Sequence, residues 1–169
     1  MSAIDAAKTP AQPVPRFRRL VWLMPAAFAP HIVEEYGTGF PVWVEQTLGG
    51  AMTGGAFLLN NAVFMLILLS LTAWAAWRPS PVSAFALLSW SSGNLFWNFV
   101  FHLVTTVLYD RYSPGLMTAV LLYLPVSVAV AWAALNERVL PRAAFAGAVS
   151  IGGALMLLVI WVGLYRMGA

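Results

Sequence analysis

Two histidines, two adjacent carboxylates and a short series of asparagines are the residues here whose types and spacing could do chemistry. His31-Ile32-Val33-Glu34-Glu35 sets one imidazole and two carboxylates at three-and-four spacing, on one side of a helix. Asn94, Asn98 and His102 recur every four residues and share a second helix face. Asn60 and Asn61 are a third polar group, and Trp97 stands beside Asn98 as a candidate wall for a substrate. Two histidines and two carboxylates suffice for a borderline divalent metal such as zinc, iron or manganese. The ligands would come from His31, Glu34, Glu35 and His102. His31 and Glu34 would reach one ion from one helix, and His102 would join from another. The second carboxylate would then serve as general base for a water on the open metal position. The zinc-protease pattern H-E-x-x-H is absent, and with no cysteine there is neither a thiolate site nor a disulfide.

The elements that must position these groups are membrane helices. Of 169 residues, 61% are hydrophobic and 9% charged, and the mean hydropathy is +0.80. Soluble domains carry about 25% charged residues. The net charge of +3 does not suggest nucleic-acid binding, because the Lys and Arg residues mostly flank apolar runs. Residues 1–15 read as a mobile polar tail, and residues 16–169 as one transmembrane helical domain. Arg16, Arg18 and Arg19 precede a first span at about 20–36, which contains Pro25 and Pro30. Further spans follow at about 53–77, 82–109, 116–135 and 143–165. Between the first two, Phe40 to Leu48 fits a short helix at the membrane interface. Glu137 and Arg138 read as a solvated turn. Ala144, Ala148 and Gly152 give the fifth span small-xxx-small spacing, a surface for close helix contact and for a homo-oligomer.

Five spans place the termini on opposite sides. With the N-terminus inside, Lys8, Arg16, Arg18, Arg19, Arg78, Arg138 and Arg142 are cytoplasmic, and Arg111 and Arg166 are outside. That bias sets an N-in, C-out bundle. His31, Glu34 and Glu35 then lie near the outer end of span one, and His102 near that of span three. Asn60 and Asn61 lie about 11 Å below the outer start of span two. Polar groups from three spans thus share a depth in the outer half, which marks one site. Ionisable residues at membrane depth usually face a bundle interior or a cavity. Asn94 reads as interhelical glue, and Tyr112-Ser113-Pro114-Gly115 as a turn before anything else.

The chain resembles the family of small bacterial membrane proteins named for its HXXEE motif. The resemblance rests on His31, Glu34, Glu35 and Tyr36, on the Asn98 and His102 region, and on Tyr112-Ser113-Pro114-Gly115-Leu116. It covers about Trp22 to Pro125. It implies a multi-span fold with a polar cluster, in the bacterial inner membrane, and supplies no reaction. A more distant similarity, of topology and residue type only, is to sterol-isomerase-like membrane proteins, which move protons with buried His, Glu, Asn and Trp.

Three functions are therefore expected to compete. The first is a metal-dependent membrane enzyme acting on a lipophilic substrate, with hydrolysis as its reaction. Its catalytic residues would be His31, Glu34, Glu35 and His102, and its substrate-binding residues Asn60, Asn61, Trp97 and Asn98. The second is a metal-free acid–base isomerase or cyclase of a terpenoid or sterol-like molecule. The third is a non-enzymatic ion-binding or assembly protein of the membrane.

Overall fold

The computed structural model describes residues 15–165, with side chains as far as Val162. The tail expected over 1–15 lies outside them but for Pro15, as do Lys8 and Arg166. Every regular element among the described residues is helical. In order they are α1 (Arg16–Leu20), α2 (Leu23–Gly37), α3 (Phe40–Trp43), α4 (Gly54–Trp77), α5 (Pro81–Ser91), α6 (Asn98–Tyr109), α7 (Leu116–Thr118), α8 (Leu124–Asn136) and α9 (Arg142–Tyr165). Three π-helical turns, Val44–Leu48, Ser92–Trp97 and Ala119–Tyr123, continue α3, join α5 to α6 and join α7 to α8.

Three helical stretches are long and apolar enough to cross a membrane: Gly54–Trp77, Leu116–Asn136 and Arg142–Val162. They correspond to the second, fourth and fifth expected spans. The third is a continuous helical run from Pro81 to Tyr109, but its serines, asparagines and His102 keep it from comparable hydropathy. The first is broken after α1 at Val21 and Trp22. Pro25 falls in the first turn of α2, where an amide has no intrahelical acceptor, while Pro30 sits inside the helix and removes one bond.

Local sequence explains where the long helices begin. Thr53 caps α4, accepting from the Ala56 amide at 3.1 Å. Ser80 and Ser83 form a reciprocal capping box at the start of α5, with bonds of 3.0 and 3.1 Å. At this same end the turn before α9 is less solvated than its charges suggest. The Glu137 carboxylate accepts the Phe17 amide at 3.2 and 3.3 Å and so caps α1. Arg18 Nε donates to the Ala76 carbonyl at 2.7 Å, at the C-terminal end of α4, where a cation is favoured. Arg16 lies 5.4 Å over the Trp132 ring.

The small residues of α9 are occupied within the chain. Ala148 is fully buried, and its carbonyl accepts from Ser92 Oγ at 3.4 Å. Gly152 meets Gly93 so closely that a Cβ on Gly152 would stand 2.7 Å from the Gly93 amide nitrogen and 2.8 Å from the Ser89 carbonyl oxygen. This face packs on α5 and the turn after it. Ala148 and Gly152, two of the three small residues on which a homo-oligomer is expected, are buried within the chain, and Ala144 is partly exposed.

The same contact yields a stability prediction. Gly152→Ala forces two backbones apart, whereas Gly147→Ala adds a methyl group with nothing within 4 Å. Thermal melts of detergent-purified protein should show Gly152→Ala destabilised by about 2 kcal/mol or more, and Gly147→Ala unchanged or slightly more stable.

Candidate functional site

α2 presents His31 and Glu35 one turn apart on its inner face, and both are buried. α6 brings a buried His102 to the same point. Glu35 Oε1 lies 3.4 Å from His31 Nε2 and 3.3 Å from His102 Nε2. The two rings approach edge to face with centroids 5.1 Å apart. Neither Nε2 atom has a hydrogen-bond partner among the described residues, although both are buried. A buried polar atom left in this state is costly, and here two such atoms converge on one carboxylate oxygen.

The outer nitrogens of both rings are held by one loop. His31 Nδ1 is 2.8 Å from Thr118 Oγ1, and His102 Nδ1 is 2.8 Å from Ser113 Oγ. The Thr118 hydroxyl donates to the Gly115 carbonyl at 3.2 Å, which leaves its oxygen to accept from His31 Nδ1–H. That tautomer carries its lone pair on Nε2, toward Glu35. Ser113 is fixed in turn by its amide, which donates to Thr106 Oγ1 at 3.0 Å. Gly115 closes the back of the cluster with φ of 103°. A Cβ there would stand 2.8 Å from Cε1 of both histidines and 2.9 Å from Glu35 Cγ. Only glycine combines that backbone angle with that approach.

Aromatic rings shut the remaining sides. Tyr123 lies 4.2 Å from the His31 ring. Phe40 lies 5.9 Å from the His102 ring, and Phe101 lies 5.2 Å from it. Phe40 belongs to the short helix expected at the interface. That helix packs on the bundle end with Phe40, Trp43 and Val44 buried. Arg111 secures it by donating to Gln46 Oε1 at 2.9 Å and Thr47 Oγ1 at 3.1 Å.

Glu34 departs from its expected place. It was assigned with His31 to one ion, but it turns away from both histidines. Its carboxylate accepts the Met117 amide at 3.2 Å and the Thr118 amide at 2.7 Å, and the Tyr112 hydroxyl also donates to it. It therefore caps the start of the helical run that carries Thr118, where orphan amides and the helix dipole favour an anion. Partial burial, and then the bond to Glu34, push the Tyr112 phenol above its ordinary range. Adjacent helical residues point about 100° apart, so one glutamate faces in while its neighbour faces along the surface.

Glu35 also lines a cavity of about 290 Å³ that runs between α4, α6 and α9. Asn60, Asn61, Asn94 and Asn98 line the same cavity. Asn61 Nδ2 donates to the Phe57 carbonyl of its own helix at 3.0 Å. Asn94 is a cavity residue rather than glue between helices, and its Nδ2 has no partner among the described residues. Trp97 is not at the cavity. Its Nε1 donates to the Val149 carbonyl at 2.9 Å and its ring packs on Gly153, since adjacent helical residues point about 100° apart. By sequence, Ser113 and Gly115 read as turn residues, and Thr118 falls in the fourth span with no role of its own. The signal for the first two was the Tyr112-Ser113-Pro114-Gly115 string, which reads as turn chemistry until the histidines are placed against it.

Three groups, His31, Glu35 and His102, could hold a metal ion, with ligand atoms all within 4.8 Å of one another. The two hydroxyls on the far ring nitrogens are what a metal-bound imidazole requires of its surroundings. Ser113→Ala and Thr118→Val should each weaken divalent-metal binding by about 10- to 100-fold, measured by competition with a chromophoric chelator. Unchanged affinity in both would show that the loop does not orient the ligands.

A family model described as "Protein of unknown function with HXXEE motif" matches residues 22–130. The matched stretch contains His31, Glu34, Glu35, His102 and the whole 112–118 loop, and ends before α9. No curated protein and no solved structure matches the chain. The chain thus belongs to the family of proteins of unknown function that share the HXXEE motif, whose histidine and two glutamates are His31, Glu34 and Glu35.

Proposed function

We propose that this protein is a membrane enzyme that holds a divalent metal on His31, Glu35 and His102 and acts on a lipophilic substrate in the adjoining cavity. One observation carries the reading. Two unpartnered Nε2 atoms lie 3.3 and 3.4 Å from the same carboxylate oxygen. A direct N–H···O bond is about 2.9 Å. Two ligands each about 2.0–2.1 Å from a tetrahedral ion stand about 3.3–3.4 Å apart. The distance of each nitrogen from the carboxylate oxygen suits two ligands of one ion better than a hydrogen bond, and the ligand atoms of all three groups lie within 4.8 Å of one another. Two histidines and one carboxylate are also a ligand set of hydrolytic zinc sites. Such a metal, when bound, supplies an acidified water for attack on an ester or amide. Iron and manganese suit the same donors. The residues' own parts are distinct: His31, Glu35 and His102 hold the ion, Thr118 and Ser113 orient the rings, and Glu34 holds Thr118 in place.

Metal content of the detergent-purified protein tests this. Near-stoichiometric metal is expected in wild type and in Glu34→Gln, and loss of it in His31→Ala, Glu35→Gln and His102→Ala. Folded wild type without metal, even after adding zinc, iron or manganese, overturns the reading. It would leave the metal-free acid–base isomerase, which uses the same three groups around one carboxylate, or a non-enzymatic membrane protein.

The proposal extends to a five-span bundle in the bacterial inner membrane, N-terminus inside, with the cluster in the outer half. Two features support it. Arg16, Arg18, Arg19, Arg78, Arg138 and Arg142 fall at one end of the helices. Large apolar side chains such as Leu59, Leu66, Val107, Leu121 and Leu157 face outward along four of them, which suits lipid and not water. The chain has no native cysteine, so single cysteines report cleanly. Cysteine at exposed Glu45 should react with an impermeant maleimide in intact cells, and cysteine at exposed Asn136 only after lysis. The reverse pattern would invert the orientation.

A further inference from the structure

The cavity beside the cluster is apolar on most sides and polar on one. Phe57, Phe64, Trp90, Phe101, Leu155 and Val159 are among its walls. The polar side contains two buried atoms without a partner among the described residues: Asn94 Nδ2, a donor, and Asn98 Oδ1, an acceptor. A buried pair of this kind is costly while it stays unpaired. Both residues line this one cavity from consecutive turns of the helical run, Asn94 from the π turn and Asn98 from the start of α6, so one small group in the cavity can serve both.

That requirement selects a chemistry. An ether or ketone oxygen can accept from Asn94 but cannot donate to Asn98. A carboxylate has the same defect and adds a charge to an apolar cavity. A hydrocarbon leaves both atoms unpaired. A neutral hydroxyl accepts one bond and donates another through a single oxygen. We infer that the cavity binds a lipophilic alcohol whose hydroxyl sits between Asn94 and Asn98 and whose apolar body lies among the aromatic walls. His102 follows Asn98 by one turn of α6, so the hydroxyl end of the ligand is the end nearer the His31–Glu35–His102 cluster. The inference rests on reading this cavity as the substrate site, and it names the substrate class.

Three probes of one shape separate the alternatives without any variant: the isoprenoid alcohol farnesol, its methyl ether and the hydrocarbon farnesene. Each is titrated against the detergent-purified protein and followed by the shift in melting temperature, which grows with the logarithm of ligand concentration over Kd. Farnesol should bind about tenfold more tightly than either of the others, the effect of satisfying two buried groups instead of one or none. Asn98→Leu should abolish that preference, with farnesol then binding no more tightly than farnesene. Equal binding of all three probes to wild type overturns the inference. The titrations are run on metal-loaded and chelator-treated protein whose metal content is measured. A preference for farnesol in protein that never takes up metal sinks the metal centre alone. A metal-loaded protein without the preference sinks the alcohol site alone.

Discussion

A carboxylate and two imidazoles enclosed among apolar helices set the terms for the rest of this structure. Water is not at hand to satisfy them, and in such surroundings a charge is tolerated only when paired or bound to a metal. Glu35 meets both histidines with one oxygen, and each histidine turns its other nitrogen to a hydroxyl. The arrangement leaves no freedom to the loop behind it. Gly115 must be glycine in left-handed backbone, because a side chain would displace both rings and Glu35 together. Glu34 has to reach the amides of Met117 and Thr118, since Thr118 is the partner of His31. One motif therefore supplies both a member of the cluster and the clasp that positions its support.

The two ends of the bundle are built on different physics. At the arginine-rich end, single backbone groups are tied by single charges: Glu137 to the start of α1, Arg18 to the end of α4. These contacts close helix termini beside a cleft lined by Phe17, Arg18, Ser80, Ala84 and Glu137. In the middle, α9 meets the π turn after α5 through Gly152 and Gly93 with almost no separation. Past that contact, the residues of α9 from Leu155 to Ile160 line the cavity. Small residues thus hold the helices together at one level and larger aromatic residues keep them apart at the next. The result is a chamber that ends at Glu35.

The three π turns fall where the site needs a register that a plain α-helix does not provide. The turn at Ser92–Trp97 precedes Asn98 and His102; that at Ala119–Tyr123 follows Thr118 and presents Tyr123 to His31. The turn at Val44–Leu48 ends the short helix that lays Phe40 against His102. An added residue per turn rotates everything downstream, which is why such turns cluster at functional sites. Asn98 lines the cavity, while Trp97, about 100° round the helix from it, turns to α9.

Composition and periodicity alone settle that the chain is helical and largely apolar, and that His31, Asn98 and His102 belong to inward faces. Those features follow from spacing along one helix, which depends only on local geometry. Helix starts at Thr53 and Ser80 are local too, since each cap bonds within its own first turn. Tertiary structure decided what local geometry leaves open. Glu34 and Glu35 are both within a turn of His31, and only the packing of α6 and α7 against α2 sends Glu35 to the histidines and Glu34 to the amides. Ser113 and Gly115 are ordinary turn residues, and Thr118 an ordinary helical one, until two helices distant in sequence present imidazoles to them. Glu137 looks solvated until α1 brings it an unpaired amide. In each case the partner lies far along the chain, and a side chain's role is fixed by its partner.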